Sequence, residues 1–227
     1  MCISLDEDFQ IDATSTLRSL SSRAKILFCC SPNNPTGNLL DRDDILGLCN
    51  KFSGLIVVDE AYIEFADGQT LAGEVSKKSN LLVLRTLSKA WGLAGARCGY
   101  CIADPAIISY LFRIKAPYNM NAVTARLACE ALDNESFFRQ AVHLVASERE
   151  RISRHLKTIP LVTRVYPSDA NFLLVEFHDP DPVFQALYRQ GIVVRRRSEL
   201  RLGKCLRITI GTTRENNLVL ETLERTS

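Results

Sequence analysis

Gly54-Leu55-Ile56-Val57-Val58-Asp59-Glu60-Ala61-Tyr62 contains an apolar run, 55–58, that is followed by two acidic residues. A short apolar run between a glycine and charged residues is typical of a buried β-strand. Two similar β-rich runs, 26–30 and 81–85, precede and follow it, and segment 41–52 between the first two has helical spacing. This alternation favours an α/β domain with a largely parallel sheet.

Long helical patterning covers 121–157, and Pro160 and Pro167 end it, after which the pattern changes. Before it, Asp104-Pro105 starts a helix through an aspartate cap and a proline in the first turn. We predict further strands at 98–103, 171–177 and 206–210, and further helices at 181–190, which the segment 191–195 follows, and at 213–225. This order predicts three segments: an α/β unit at 1–115, a helical connector at 116–150 and a smaller α+β domain at 151–227.

The composition is that of an ordinary globular protein, with 46% hydrophobic and 24% charged residues among 227. The net charge of +2 gives no field that would favour nucleic acid or a membrane surface, and no apolar stretch is long enough to span a bilayer. The eight cysteines are scattered and several lie inside apolar runs, so we expect buried thiols in a reducing cytosol. Cys98-x-x-Cys101 lacks a second pair or nearby histidines, so we predict no metal site.

Lys89 lies in the stretch 85–97, Arg-Thr-Leu-Ser-Lys-Ala-Trp-Gly-Leu-Ala-Gly-Ala-Arg. Lysine is the side chain that forms Schiff bases. The hydroxyls of Thr86 and Ser88 and the guanidinium of Arg97 suit a phosphate monoester. Together they indicate an aldehyde cofactor that carries a phosphate, which is pyridoxal phosphate. The alternative, an ordinary exposed lysine in a loop, stays open when this stretch is taken alone.

Asp59 is expected at the carboxyl end of its strand, where open α/β sheets bind ligands. A carboxylate there keeps a pyridine nitrogen protonated, and Tyr62 lies three residues on, within reach of the phenolic oxygen of the same cofactor. The Mg²⁺-binding strand of P-loop ATPases has a similar pattern, but the chain lacks the G-x-x-x-x-G-K-[ST] motif of that fold. An aspartate that caps the next helix is the remaining alternative.

Ser31-Pro32-Asn33-Asn34-Pro35-Thr36-Gly37 follows the strand at 26–30. Two prolines fix the backbone φ angle and a glycine permits positive φ, so the segment is a rigid turn. It is a plausible ligand loop at the same edge of the sheet, although a simple connecting turn has the same composition.

The three motifs occur in one order, and each lies at a predicted strand end. In this combination the chain resembles the fold-type I pyridoxal-phosphate enzymes of the aminotransferase class I/II family, and within it the histidinol-phosphate aminotransferases. The stretches that carry the resemblance are 31–37, 59–65, 85–100 and 206–212. The fold that it implies is that of the PLP-dependent transferases, with 1–115 as part of the large cofactor-binding domain.

The resemblance implies a set of cofactor-binding residues: Asn34, Asp59, Tyr62, Thr86, Ser88, Lys89 and Arg97. In that set the lysine forms the covalent link to pyridoxal 5′-phosphate and moves the proton of the substrate α-carbon. The aspartate pairs with the pyridinium nitrogen, and the asparagine and tyrosine bind the phenolic oxygen. The two hydroxyls and the arginine hold the phosphate.

Two further arginines are implied to bind substrate. Arg207 would grip the α-carboxylate in a bidentate pair, and Arg195 would face the phosphate of the substrate. A solvated basic edge over 195–197 stays open as the alternative for Arg195, and it is the favoured interpretation for Arg196 and Arg197. The implied reaction exchanges an amino group between L-histidinol phosphate and 2-oxoglutarate, giving glutamate, in histidine biosynthesis, and the implied assembly is a cytoplasmic homodimer. The alternatives are an aromatic aminotransferase, an amino-acid phosphate decarboxylase or a non-catalytic fragment.

Members of the resembled family are longer, and their additional residues precede the position of Met1. That block carries a glycine-rich loop for the cofactor phosphate, an aromatic that stacks on the pyridine ring and a tyrosine given to the neighbouring subunit. We therefore expect a truncated chain with impaired activity. We also expect Met1–Leu5 to be a strand left from the edge of the sheet.

Overall fold

The computed structural model describes residues 1–67, 70–198 and 201–226 of the chain. The chain divides into two compact units. The first unit consists of Met1–Asn33 and Leu39–Phe138, and the second consists of Asn34–Asn38 and the described residues from Arg139 onward.

The first unit is built on a four-stranded sheet with the strand order β1-β2-β3-β4. The strands are β1 (Ile26–Cys30), β2 (Leu55–Asp59), β3 (Leu81–Thr86) and β4 (Gly99–Ala103). The first three strands are parallel, and β4 runs antiparallel to β3. The prediction of an α/β unit with a mostly parallel sheet is therefore confirmed.

The core of the first unit lies on one face of this sheet. Side chains alternate between the two faces of a strand, and every second residue of β2 and β3 enters the same buried cluster: Ile56, Val58, Leu81 and Val83. Ile45 and Leu48 of α2 (Arg42–Lys51) pack against them. Burial of these side chains on one face fixes the positions of both strand ends.

The remaining helices of the first unit have the expected capping residues. They are α1 (Ala13–Ser19), α3 (Pro105–Ile114) and α4 (Ala122–Asp133). Asp104 caps α3 by accepting a hydrogen bond from the Ala106 N–H, with Pro105 in the first turn, as predicted. The helical pattern over 121–157 forms two helices, α4 and α5 (Glu135–Leu156), which are separated at Asn134.

The second unit has an antiparallel sheet with the order β5-β6-β8-β7. Its strands are β5 (Val162–Val165), β6 (Phe172–Phe177), β7 (Arg195–Arg196) and β8 (Cys205–Thr209). Three helices, α5, α6 (Pro180–Arg189) and α7 (Thr213–Thr226), contribute residues such as Leu156, Leu187 and Leu223 to a core against Leu173 and Leu206. This unit has the α+β class expected for the smaller domain.

The prediction that Met1–Leu5 is a strand is wrong. The first strand of the described chain begins at Ile26, and residues 1–5 have irregular structure. Ile3 and Leu5 are half-buried while their neighbours are exposed, and Leu5 packs against the core. An irregular segment that packs against a hydrophobic core can bury alternate side chains, as a strand does. Alternation of apolar residues therefore does not by itself show that the segment is hydrogen-bonded to another strand.

The apolar segment 191–195 follows α6, and only Arg195 of that range is in a strand. Gly191 has a φ of +74°, a conformation that glycine adopts without strain. The Ile192 N–H donates to the Leu187 carbonyl of α6. The Ile192 N–H is therefore not available for the hydrogen bonds that an N-terminal extension of β7 would need.

None of the helices described in 1–67, 70–198 and 201–226 is long and apolar enough to cross a membrane. The same described residues contain no group of three or more His, Cys, Asp or Glu side chains that is arranged to hold a metal ion.

Candidate active site

Asp59 lies at the carboxyl end of β2, as the sequence predicts. It pairs with Leu84 of the parallel strand β3, so the ends of β2 and β3 are adjacent. Its half-buried carboxylate accepts a hydrogen bond from the Ala61 N–H at 3.0 Å. This bond uses one oxygen and orients the side chain at the strand end. Tyr62, three residues on, is buried.

Lys89 lies in the turn that follows β3. The Thr86 hydroxyl accepts from the Ser88 N–H at 3.0 Å and donates to the Cys98 carbonyl at 3.2 Å, which holds the turn against the start of β4. The Lys89 ammonium is 5.2 Å from the centre of the Tyr62 ring, a cation–π distance. No carboxylate of the described chain is within ion-pair distance of this ammonium. The lysine and the tyrosine predicted for one site are thus together.

Arg97 closes the same loop from its far end. It has a φ of +54°, in the left-handed region, and its guanidinium is exposed and donates to the Ala94 carbonyl at 3.2 Å. The next residue, Cys98, accepts the Leu87 N–H at 3.0 Å, so Arg97 immediately precedes the chain segment that pairs with Thr86 and Leu87. Thr124 of α4 donates to the Ala96 carbonyl at 3.0 Å and fixes the loop.

A buried ion pair joins the residue after Asp59 to the residue before Thr86, and the sequence reasoning missed it. Glu60 is 1% exposed. Its carboxylate accepts hydrogen bonds from the Leu71 N–H at 2.6 Å, the Thr70 hydroxyl at 2.8 Å and the Arg85 Nε at 3.0 Å. Arg85 Nη2 also donates to the Thr70 hydroxyl at 2.7 Å. A usable signal was present, since an acid beside a buried strand and an arginine inside the next strand both require partners.

Glu64 is a second carboxyl group beside Arg85, whose Nη1 lies 3.5 Å from Glu64 Oε1. Burial raises the pKa of Glu64 above its ordinary value. Among the described residues its buried Oε2 has no hydrogen-bond partner. Two carboxyl groups therefore compete for one guanidinium, and Glu60 holds the shorter contacts.

In the second unit, Asn34 and Arg207 are directly connected. Arg207 lies in β8 and donates from Nη1 to Asn34 Oδ1 at 2.7 Å. Its guanidinium stacks 4.9 Å from the centre of the Phe172 ring. The buried Arg207 Nε has no hydrogen-bond partner in the described part of the chain. An arginine that is held on two sides and retains an unused donor is suited to an anionic ligand.

Arg195 of β7 is the register partner of Arg207 in β8. Residues opposite each other in an antiparallel pair lie on the same face, and like charges there are destabilising. The pair is therefore suited to bind an anion between or beside the two guanidinium groups. Arg196 is on the opposite face and forms an ion pair with Asp181. Arg197 is half-buried and its N–H donates to the Cys205 carbonyl, so it is not simply a solvated residue.

The sequence and the fold have counterparts among known proteins. The sequence model described as aminotransferase class I and II matches residues 2–223. The chain belongs to the aminotransferase class I and II family. A histidinol-phosphate aminotransferase from Parabacteroides distasonis is 45% identical over 223 residues, which cover 98% of this chain and 65% of that protein. The chain therefore spans about two thirds of the length of this curated relative.

Two solved structures have the same fold as this aminotransferase family member. The histidinol-phosphate aminotransferase from Clostridium acetobutylicum has a TM-score of 0.90 at 24% identity, over 97% of this chain and 69% of that chain. The histidinol-phosphate aminotransferase from Sinorhizobium meliloti, solved in complex with pyridoxal-5′-phosphate, has a TM-score of 0.88 at 25% identity, over 100% of this chain and 64% of that chain. The first of these likenesses supports the fold alone.

The predicted site residues of this aminotransferase family member fall in both units. The first unit contains Asp59, Tyr62, Thr86, Ser88, Lys89 and Arg97, and the second contains Asn34, Arg195 and Arg207. Within the first unit the lysine lies beside the tyrosine, and within the second Asn34 bonds to Arg207, whose register partner is Arg195. The prediction that Asn34 shares a cofactor oxygen with Tyr62 stays a prediction.

Proposed function

We propose that the chain carries the cofactor-binding and catalytic residues of a pyridoxal-phosphate-dependent histidinol-phosphate aminotransferase. The observation that carries the proposal is the position of Lys89 over the Tyr62 ring, beside the strand end that bears Asp59. Its support from relatives is the 45% identity to the Parabacteroides distasonis protein and the cofactor bound in the Sinorhizobium meliloti structure.

The residues present fit the cofactor. An exposed lysine without a carboxylate partner among the described residues has a free amine to offer an aldehyde. The carboxylate of Asp59 matches a pyridinium nitrogen, and Thr86, Ser88 and Arg97 match a phosphate. When bound, pyridoxal phosphate supplies an aldehyde for the amino group and a ring that withdraws electrons from the substrate α-carbon.

The chain's own side chains then have distinct tasks. Lys89 would hold the aldehyde of the cofactor and would hold or return the proton of the substrate α-carbon. Tyr62 and Asn34 would donate hydrogen bonds to the phenolic oxygen, and Asp59 would maintain the proton on the ring nitrogen. Arg207 binds the carboxylate of glutamate or 2-oxoglutarate, and Arg195 binds the phosphate of histidinol phosphate.

We extend the proposal to organisation and assembly. Segment 1–115 is part of the large domain, 116–150 the connector and 151–227 the small domain. A cytoplasmic homodimer is supported by two features: all eight cysteines are free, and large apolar side chains are exposed on and after α3, at Tyr110, Ile114, Tyr118 and Val123. An apolar surface of this kind is typical of an interface.

The proposal predicts a single reactive lysine. The chain incubated with pyridoxal 5′-phosphate and reduced with borohydride is expected to carry a phosphopyridoxyl group on Lys89, as measured by peptide mass mapping. Lys89→Ala abolishes the label, whereas the matched control Lys115→Ala retains it, because Lys115 is an exposed lysine on another segment. Equal labelling of Lys25, Lys51 or Lys115 contradicts the assignment.

The substrate is tested separately. We expect L-histidinol phosphate and 2-oxoglutarate to yield glutamate, as measured by a coupled glutamate assay. Release of CO₂ from an amino-acid phosphate, without glutamate formation, would instead support the decarboxylase alternative.

A further inference from the structure

Glu60 is a fully enclosed carboxylate next in sequence to a residue of the proposed site. Successive residues of a strand point to opposite faces, so Asp59 and Glu60 diverge at the end of β2. A buried charge costs several kcal/mol unless its oxygens are satisfied. Glu60 meets this need with three donors, from Thr70, Leu71 and Arg85.

Arg85 connects this carboxylate to the strand that leads to Lys89. It lies in β3, four residues before Lys89, and its side chain is 17% exposed. The Glu60 N–H donates to the Leu84 carbonyl at 2.9 Å, so main-chain and side-chain bonds join the same two strand ends. The Thr70 hydroxyl bonds to both side chains and connects the segment that starts at Thr70 to the network.

Stability alone does not account for such a pair. A buried ion pair and a well-packed apolar pair of similar volume contribute about equally to stability, and the apolar pair is often the better. The ion pair differs in that its hydrogen bonds have a defined direction and length. Reaction rates are sensitive to this, because a displacement of about 1 Å costs roughly a hundredfold in rate.

We propose that Glu60 and Arg85 are positioning residues, whose buried ion pair holds the ends of β2 and β3 so that Asp59 and Lys89 meet the same cofactor. The inference rests on the proposed function and adds to it two residues that touch neither cofactor nor substrate. Their effect is exerted through the backbone of the two strands.

Glu64 explains why the loss of Glu60 would be felt at β3. The Glu64 carboxyl group is already 3.5 Å from Arg85 and has an oxygen without a partner. When Glu60 no longer attracts it, the guanidinium turns toward Glu64. The side chain of Arg85 then changes direction, and the turn from Thr86 to Lys89 loses its anchor.

The test compares three variants of the full chain. Glu60→Gln removes the charge and keeps the shape. Glu60→Gln combined with Arg85→Met removes both charges, so that no unpaired charge stays buried. Glu148→Gln is the matched control, because Glu148 is a buried carboxylate with an arginine partner, Arg151, in the second unit.

Four quantities are measured on each variant: the thermal midpoint, the affinity for pyridoxal phosphate from visible absorbance, the pH midpoint of that absorbance, and kcat with KM. We expect Glu60→Gln to lower kcat about ten- to a hundredfold with KM changed less than about threefold, and to shift the pH midpoint. The double variant regains thermal stability but keeps the slow kcat and the shifted midpoint. Glu148→Gln loses thermal stability, but its kcat and the pH midpoint of its absorbance stay at the wild-type values.

The outcomes separate three cases. A double variant with wild-type kcat and pH midpoint overturns the positioning role, because the pair is then only structural. Equal shifts of the pH midpoint in Glu60→Gln and Glu148→Gln also overturn it, since the effect would be general loss of stability. A wild-type chain that forms no Lys89 adduct overturns the proposed function itself. If Glu60→Gln does not fold, the double variant alone decides the matter.

Discussion

The negative charge of Asp59 has a specific role in the proposed function, which is to keep the pyridine nitrogen of the cofactor protonated. Its carboxylate accepts the Ala61 N–H, and an asparagine side chain accepts the same bond. Asp59→Asn therefore removes charge with little change in structure. Under the proposed function we expect kcat to fall by more than about a hundredfold, because a neutral amide does not maintain the protonated ring nitrogen. Steady-state kinetics measure this, and the thermal midpoint is expected to stay near the wild-type value.

Asp41→Asn provides the control for that change. Asp41 caps α2 by accepting the N–H groups of Asp43 and Asp44, and asparagine is an equally good cap. We expect wild-type kcat from this variant. An Asp59→Asn chain with nearly wild-type kcat would show that the carboxylate at the end of β2 has no role in the reaction.

Single residues differ in how far the sequence identifies them. Lys89 and Asp59 were singled out because each lies at or just after the end of a strand and has a side chain with specific chemistry. Glu60 was not, since its burial depends on Thr70, ten residues on, and on Arg85, twenty-five residues on. Propensity and spacing do not report a contact that only the pairing of β2 with β3 creates.

The pairing of β7 with β8 gives a prediction at the level of the element. Arg195 and Arg207 lie opposite each other on one face, and Arg207 has a buried donor without a partner in the described chain. We expect Arg207→Ala to raise KM for glutamate and 2-oxoglutarate, which carry the α-carboxylate. Arg195→Ala is expected to affect histidinol phosphate most, by about ten- to a hundredfold in kcat/KM for one charged hydrogen bond of about 1.5–3 kcal/mol.

Arg196 supplies the matched control within the same strand. It faces the other side of the sheet and pairs with Asp181, so Arg196→Ala is expected to leave the kinetics of both substrates unchanged. Profiles of kcat/KM for glutamate and histidinol phosphate distinguish the three variants. Equal losses for both substrates in Arg195→Ala would argue against phosphate recognition by this arginine.

Elements were predicted best where a strand or helix has its own local signals. The capped helix after Asp104 and the apolar runs of β1, β2 and β3 were identified from residues within them. The sequence does not give the direction of β4, because the orientation of a strand depends on the path of the connection. Residues 191–194 form no strand, because the Ile192 N–H donates to the Leu187 carbonyl at the end of α6.

At the level of the whole chain, stability depends on a buried cluster in the second unit. Glu148 of α5 accepts hydrogen bonds from Arg151 at 2.8 and 2.7 Å and from the Asn216 side-chain amide at 2.7 Å. Asn216 belongs to α7, so the carboxylate joins the two helices. The hydrogen bond from Arg151 is the main cause that lowers the pKa of Glu148 to about 2.

This lowered pKa predicts how the free energy of unfolding changes with pH. The pKa in the folded state lies below the ordinary value of 4.5, so the stabilisation is fully present above about pH 5 and is lost as the pH falls toward 2. We expect Glu148→Gln to reduce the unfolding free energy by about 3 kcal/mol at most near pH 7, and the difference from wild type to shrink in acid. Urea unfolding, followed by circular dichroism at pH 7, 5 and 3, measures this difference in the free energy of unfolding.

Glu150→Gln is the control. The partner of Glu150 is the exposed Arg154, so this variant is expected to have little effect at any pH. Other carboxylates with lowered pKa values, such as Glu215, are common to all variants and cancel in the difference. A loss in Glu148→Gln that is constant from pH 7 to pH 3 would mean that its charge does not join α5 to α7.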